Sequence, residues 1–340
     1  MDYFPKNIED WATVSRFVKE SKRLYITTHV NPDGDAIGSV MALAGFLKNL
    51  GKPFRVITDS KTPETFEFLD PTGLIETYTE RGQLEDSPRR GDLVMFLDLG
   101  SYNRVGRIES FLVDNEAVKV VIDHHIPEPV NADHVIVNTN ACSTGSLVFD
   151  FMIHSDRTAV NRNIASAILT AIISDTGFFR YSNTTATTHQ IVSALYDYDA
   201  RTVDIRKKLE SGQPYCRQKL LGLTLSKVQL TDSDRIAYSV ITTDMFEESG
   251  AQREHTEGII DQLRIIRNIK VAMLLIQEGP DFFKASFRTA DTIPANEIAA
   301  RLGGGGHPKA AGASLHGSLD HVVSRVVGAI KDVLYEKEAK

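Results

Sequence analysis

A chain of 340 residues is too long for one ordinary core and fits two domains. With 42% hydrophobic and 24% charged residues, it has the composition of a folded protein rather than a disordered one. A net charge of −7 excludes the broad basic field that a long nucleic-acid backbone needs, so a nucleic-acid partner has to be short or locally gripped.

Met1 to Glu20 reads as an amphipathic helix with Trp11, Val14, Phe17 and Val18 on one side. It lacks the basic start and unbroken apolar run of a signal peptide, and no apolar run reaches membrane-spanning length. A cytoplasmic protein with no membrane partner is expected. Leu24–Thr28 is a strand, followed by a turn and a helix from about Asp35 to Leu50. Phe54–Thr58, Leu93–Leu97, Val118–Ile122 and Val135–Val137 are further strands, before helices near Thr144–Ile153 and Asn161–Ser174. Such β–α alternation, rich in Val, Ile and Leu, predicts an α/β fold with a mostly parallel sheet covered by helices over residues 1–196.

Arg201–Glu210 and Tyr215–Leu225 read as helices with little strand between them, a helical connector over 197–225. Residues 226–340 then form a smaller α/β domain with a mixed sheet. Its strands are Ile236–Ile241, Lys270–Gln277 and Phe282–Arg288; a helix near Pro294–Leu302 leads to Gly303-Gly304-Gly305-Gly306-His307 and a last helix near Leu319–Glu336. Cys142 and Cys216 are far apart and lack metal-ligand spacing, which excludes a disulfide framework or zinc ribbon.

The segment Thr28-His29-Val30-Asn31-Pro32-Asp33-Gly34-Asp35 follows a strand and opens a helix. That places it at the carboxyl edge of the sheet, where open α/β folds bind ligands. A tight turn at Pro32 and Gly34 lets His29, Asp33 and Asp35 converge, a donor set suited to a cation such as Mn²⁺. The competing reading is an ordinary Asp33-Gly34 turn with Asp35 as a helix cap. The pattern recurs, however: apolar runs also end in Asp98, in Asp123-His124-His125 and in Asp175. Burying isolated carboxylates costs several kcal/mol, and pairing them with divalent metals removes the problem. A two-metal site is the better account.

These motifs together resemble the DHH phosphoesterases, whose signature stands here as Asp123-His124-His125. Gly303–His307 with Ala310-Ala311-Gly312 resembles the glycine-rich signature of the DHH-associated substrate-binding domain, and the likeness runs from about residue 20 to 315. Within the family the chain looks like the nanoRNases and pAp phosphatases, which degrade very short RNA and dephosphorylate 3′-phosphoadenosine 5′-phosphate. The resemblance implies His29, Asp33 and Asp98 on one Mn²⁺ and Asp35, Asp98, His124 and Asp175 on the other, with Asp98 bridging. It further implies Asp123 behind the ligands, orienting a histidine, and His125 facing the substrate phosphate. Spacing alone does not decide between His124 and His125. Mg²⁺ and Co²⁺ are alternative metals.

Two cations about 3.5–4 Å apart can lower the pKa of a shared water enough to supply hydroxide near neutral pH. Phosphorus is then attacked in line, without a protein nucleophile, while nearby cationic groups take up developing charge. Gly304, Gly305, Gly306 and His307 are candidate substrate contacts, since glycines let the backbone approach an anion. Ser286, Arg288 and Arg104 are further candidates, a guanidinium matching phosphate in a bidentate way. Ser143-Thr144 before Gly145 reads as a helix cap. His134, His154, His189, His255, His316 and His321 read as ordinary polar positions, and Cys142 and Cys216 as packing residues.

The expected activity is hydrolysis of short RNA and of pAp, one lobe cutting and the other measuring the free end; a homodimer is compatible with this plan. Alternatives are linear or cyclic dinucleotides (pApA, cyclic di-AMP), single-stranded DNA, pyrophosphate, and a non-catalytic nucleotide-binding regulator. Long duplex DNA is not an expected partner.

Overall fold

A computed structural model describes residues 8–78, 87–125, 131–211, 214–290 and 293–338. The chain divides into two compact units between Gly212 and Gln213. The N-terminal unit contains, in order, α1 (Ile8–Glu20), β1 (Leu24–Thr27), α2 (Gly34–Asn49), β2 (Phe54–Thr58), β3 (Ile75–Thr77), β4 (Leu93–Leu97), α3 (Glu109–Val113), β5 (Val118–Asp123) and β6 (His134–Val137). Then follow α4 (Thr144–Asp156), α5 (Arg162–Asp175), α6 (Ala186–Asp197) and α7 (Thr202–Ser211).

The strands form one sheet in the order β3-β2-β1-β4-β5-β6, every pair parallel. Strands β1 and β4 are buried at every residue, as a parallel sheet covered on both faces demands. Leu24, Ile26, Leu93, Met95 and Leu97 join a core with Trp11, Phe46 and Phe151 from the helices. Tyr25, Val94 and Phe96 point the other way, into a smaller cluster with Val105, Ile108 and Leu112. Helix α1 buries Trp11, Val14 and Val18 as expected; Met1–Asn7 of that expected helix lie outside the described residues.

Two features position the site. The strand order reverses between β1 and β4, so the connections leaving their carboxyl ends diverge and open a crevice between them. Helices α2 and α5 also cross closely: a Cβ at Gly38 would stand 2.6 Å from the Ala167 carbonyl oxygen, and one at Gly34 would stand 2.5 Å from Ser174 Oγ. Gly34 is thus a packing glycine at the first position of α2. The residue with positive φ in the preceding loop is Asn31, at 52°. This corrects the expectation of a turn built on Gly34.

The C-terminal unit contains α8 (Tyr215–Ser226), β7 (Gln229–Thr231), β8 (Ile236–Ile241), α9 (Thr243–Ser249), α10 (Ile259–Arg264), β9 (Val271–Gly279) and β10 (Phe282–Thr289). They are followed by α11 (Ala295–Arg301), β11 (Gly305–His307), β12 (Ala310–His316) and α12 (Leu319–Glu338). Its sheet runs β11-β12-β10-β9-β8-β7, with β8 and β9 parallel and the other pairs antiparallel. One face packs on α11 and α12 through Met273, Phe283, Phe287 and Leu315. The other packs on α8, α9 and α10 through Ala237, Ala272 and Leu274. No helix among the described residues is long and apolar enough to cross a membrane.

Candidate metal centre

Four segments of the N-terminal unit bring acidic and imidazole groups to the carboxyl edge of the sheet. His29 follows β1, Asp98 follows β4, His124 and His125 follow β5, and Asp175 closes α5. Strands β1 and β4 are neighbours, so His29 and Asp98 flank the point where the strand order reverses. Asp98 itself has φ 56°, a conformation that turns the chain sharply at the end of its strand.

Asp98 lies at the middle. Its Oδ2 stands 3.6 Å from His29 Nε2, and its Oδ1 stands 3.6 Å from His124 Nε2. His124 Nε2 also faces Asp35 Oδ2 at 3.6 Å and Asp175 Oδ2 at 3.7 Å. These separations are too long for hydrogen bonds. His124 Nε2 is in fact buried and makes no hydrogen bond, an orphan among carboxylate oxygens. Among the described residues, the groups of three or more donors close enough to share an ion are His29–Asp33–Asp98, Asp35–His124–Asp175 and Asp98–His124–His125. Imidazole with carboxylate oxygen is a donor set for a divalent first-row cation, and the orphaned nitrogen fits one. With its proton on Nδ1, each histidine donates to a main-chain carbonyl, His29 to Val30 at 2.8 Å and His124 to Ala141 at 3.4 Å. The Nε2 lone pairs are left for the site.

The electrostatics carry the mark of unmet negative charge. Burial, then the charges of Asp98, Asp175 and Asp33, push the Asp35 carboxyl well above its ordinary range. Burial likewise raises Asp175 to about 6. Burial works against ionised Asp98, but the nearby His29 imidazole and the charges of His124 and His125 outweigh it and hold its carboxyl low. Burial also opposes a charge on His29, yet Asp98 and Asp33 raise its pKa.

Asp123 points away from this cluster. Its Oδ1 accepts from His125 N at 2.9 Å and His125 Nδ1 at 2.8 Å, and its Oδ2 accepts from Leu99 N at 2.8 Å and from Gly100 N. The histidine it orients is therefore His125. Arg104 lies beside the same loop and donates to the Leu99 carbonyl at 3.2 Å.

Several supporting contacts escaped the sequence reading. Asp33 is the cap of α2, its Oδ1 accepting from Asp35 N and Ala36 N at 3.0 and 3.1 Å. Asp35 is not the cap; it sits inside the first turn. Its carboxylate accepts from Thr144 N at 2.7 Å, Gly145 N at 2.9 Å and Ser39 Oγ at 3.1 Å, so the start of α4 grips it. Thr144 Oγ1 donates to Asp98 Oδ1 at 3.0 Å. Asn183, in the loop before α6, donates from Nδ2 to the Asp175 main chain at 3.1 Å and to its Oδ2 at 3.2 Å. A polar side chain just beyond a helix ending in a candidate ligand was the signal available for Asn183.

In the C-terminal unit the register gathers part of the predicted set. Lys284, Ser286 and Arg288 alternate along β10 with buried Phe283, Ala285 and Phe287. Ser286 lies opposite Gly312, itself opposite Gly305; Arg288 lies opposite Ala310, itself opposite position 307. Ser286, Arg288 and Gly305 thus occupy adjacent rows of one sheet surface. Arg288 Nε is 3.9 Å from Asp261 Oδ1 on α10. The His307 side chain lies outside the described residues. Gly304 and Gly306 serve the unit's own packing: a Cβ at Gly304 would stand 2.1 Å from the Gly312 oxygen, and one at Gly306 would stand 2.6 Å from Ala311 Cα. The glycine run is an edge of a sheet, not a loose loop.

Of the other histidines, His134 Nε2 is buried without a hydrogen bond, 3.4 Å from a single carboxylate, Asp10, and His255 Nδ1 accepts from Gln252 N at 2.8 Å. Cys142 is buried, Cys216 lies in α8, and both are free thiols.

Comparison with known proteins gives the family. The family model described as "DHH family, N-terminal domain" matches residues 23–172, and the DHHA1 domain model matches 233–336. The bifunctional oligoribonuclease and PAP phosphatase NrnA of Thermus thermophilus is 32% identical over 317 residues, 92% of this chain and 90% of that protein. The Bacillus subtilis protein of the same name is 27% identical over 313 residues, covering 91% and 94%. The crystal structure of an exopolyphosphatase-related protein from Bacteroides fragilis has the same fold, with a TM-score of 0.90 at 24% identity over 97% of this chain and 98% of that one. The chain belongs to the DHH family of metal-dependent phosphoesterases, with a DHHA1 domain following the DHH domain.

Proposed function

We propose that this chain is a manganese-dependent phosphoesterase that hydrolyses oligoribonucleotides of a few residues to mononucleotides and dephosphorylates 3′-phosphoadenosine 5′-phosphate. The observation that carries the reading is Asp98, whose two carboxylate oxygens face two different imidazoles, each within its own group of donors. The names of the relatives that align over nearly the whole chain supply the substrate class.

His29, Asp33 and Asp98 would hold one cation, and Asp35, Asp98, His124 and Asp175 would hold the other. Bound cations supply Lewis-acid stabilisation of phosphate oxygens and a hydroxide nucleophile near neutral pH. The remaining work falls to the chain. Asp123 accepts a hydrogen bond from His125 Nδ1, which leaves Nε2 to meet a phosphate or leaving-group oxygen. Arg104 adds fixed positive charge beside that imidazole. The main-chain N–H groups that open α4 hold Asp35 in place without any reorganisation during the reaction. In the DHHA1 domain, Ser286, Arg288, Gly305 and His307 contact the nucleotide, and residues 197–225 join the two domains.

A Mn²⁺-supplemented panel of dinucleotide RNA, pAp, pApA, cyclic di-AMP, pyrophosphate and long single-stranded DNA tests the assignment. Turnover highest on dinucleotide RNA and pAp is expected. Turnover confined to pyrophosphate, to cyclic di-AMP or to long DNA would overturn it.

A further inference from the structure

Thr144 opens α4, yet the helix already has its cap: Ser143 Oγ accepts from Ser146 N at 3.1 Å. The Thr144 hydroxyl is thus spared for other use. It is buried and donates to Asp98 Oδ1 at 3.0 Å, while the main-chain N of the same residue donates to Asp35 Oδ2 at 2.7 Å. One residue therefore contacts both the carboxylate that serves a single donor group, Asp35, and the carboxylate shared between groups, Asp98.

The hydroxyl also makes the two oxygens of Asp98 unequal. Oδ1, which accepts from Thr144, faces His124 Nε2 at 3.6 Å and His125 Nδ1 at 3.4 Å. Oδ2 is left toward His29 Nε2 at 3.6 Å. The terminal torsion of an aspartate is broad and roughly two-fold, so nothing in the side chain itself holds one oxygen toward each imidazole. A directional donor on one oxygen does hold it. Close packing keeps that donor in register: a Cβ at the next residue, Gly145, would stand 2.5 Å from Ala171 Cβ on α5.

We propose that Thr144 is a positioning residue that locks the rotation of the Asp98 carboxylate, so that each oxygen serves a different cation and both cations bind together. The inference rests on the two-cation reading above.

The test titrates Mn²⁺ into metal-free full-length wild type, Thr144→Val and Thr144→Ser, by calorimetry and by electron paramagnetic resonance. Calorimetry counts the sites, and resonance reports magnetic coupling between paired ions. Valine keeps the volume and loses the hydroxyl; serine keeps the hydroxyl and loses the methyl. The wild type is expected to bind two ions per chain and to show a coupled pair. T144V is expected to bind the second ion about 10- to 100-fold more weakly and to lose the coupled signal, the usual size for losing a partner behind a metal ligand. T144S is expected to follow the wild type. Two sites of wild-type affinity in T144V, or a T144S as impaired as T144V, would overturn the role of the hydroxyl while leaving the two-cation reading intact. A wild type that binds fewer than two ions would overturn both. If T144V does not fold, Thr144→Ala against T144S reads the same hydroxyl by the same criteria.

Discussion

Asp123→Asn probes the oriented histidine with a minimal change of shape. The buried carboxylate accepts from four N–H groups: Leu99 N, Gly100 N, His125 N and His125 Nδ1. An asparagine keeps one acceptor oxygen and turns an NH₂ toward the other pair of donors, so two charge-assisted bonds become two opposed donors. Each bond to a charged group is worth about 1.5–3 kcal/mol, and leaving buried donors unpaired adds to the loss. The expected destabilisation is about 3–5 kcal/mol, the size seen when one partner of a buried charged pair is removed.

The pH dependence has a definite sign. Burial opposes the ionised form of Asp123, but the bonds from His125 and Gly100 outweigh it, so the native pKa is depressed. Its contribution is therefore complete above the unfolded value of about 3.9 and fades as the pH falls from there through the native value. Urea unfolding of the metal-free wild type and variant from about pH 7 to about pH 3.5 should give a stability gap that is full from neutrality to about pH 5 and begins to narrow below about pH 4. A gap below about 1 kcal/mol at neutral pH, or one that widens on acidification, would refute the reasoning.

Three other perturbations follow from the same geometry. Gly38→Ala gains about 1 kcal/mol of helix propensity but drives a methyl against the Ala167 carbonyl and Ala171, so a net loss of about 1–3 kcal/mol in chemical denaturation is expected; a more stable variant would mean that α2 and α5 do not cross this closely. Asn183→Ala removes the side-chain donor to Asp175 and should weaken one Mn²⁺ site about 10-fold with little change in the melting of the metal-free protein; unchanged affinity in calorimetry would contradict the role given to Asn183. Mn²⁺ at about 100 times its dissociation constant should stabilise the wild type by about 2.7 kcal/mol per site, reversibly with a chelator, whereas melting indifferent to Mn²⁺ would count against any cation site here.

Much of this centre was legible in the sequence because burial and charge conflict there. Leu93–Leu97 is a fully apolar run and Val118–Ile122 is apolar but for Lys119; they stop at Asp98 and Asp123, and such a stop needs a chemical reason. Periodicity revealed the long elements for the same kind of reason, since α2, α4 and α5 each bury most of their length. The short edge strands β3, β7 and β11 were invisible, because three residues with exposed positions set no period. Helix α6 was missed behind its polar opening Ala186-Thr187-Thr188-His189.

Thr144 was hidden by a sufficient explanation. The Ser143-Thr144 pair reads as a cap, Ser143 alone performs that role, and only three-dimensional placement assigns the second hydroxyl to Asp98. The glycine run misled in the opposite way. Its composition suggests a loop open to a ligand, while Gly304 and Gly306 are small because β12 lies against them. Sequence shows that a side chain is missing, not which neighbour requires its absence.

Anomalous diffraction from crystals grown with Mn²⁺ tests the central claim most directly. Two manganese peaks per chain are predicted, one bounded by His29, Asp33 and Asp98 and one by Asp35, Asp98, His124 and Asp175, with Asp98 touching both. A single peak, or two peaks of which Asp98 bounds only one, would contradict the account.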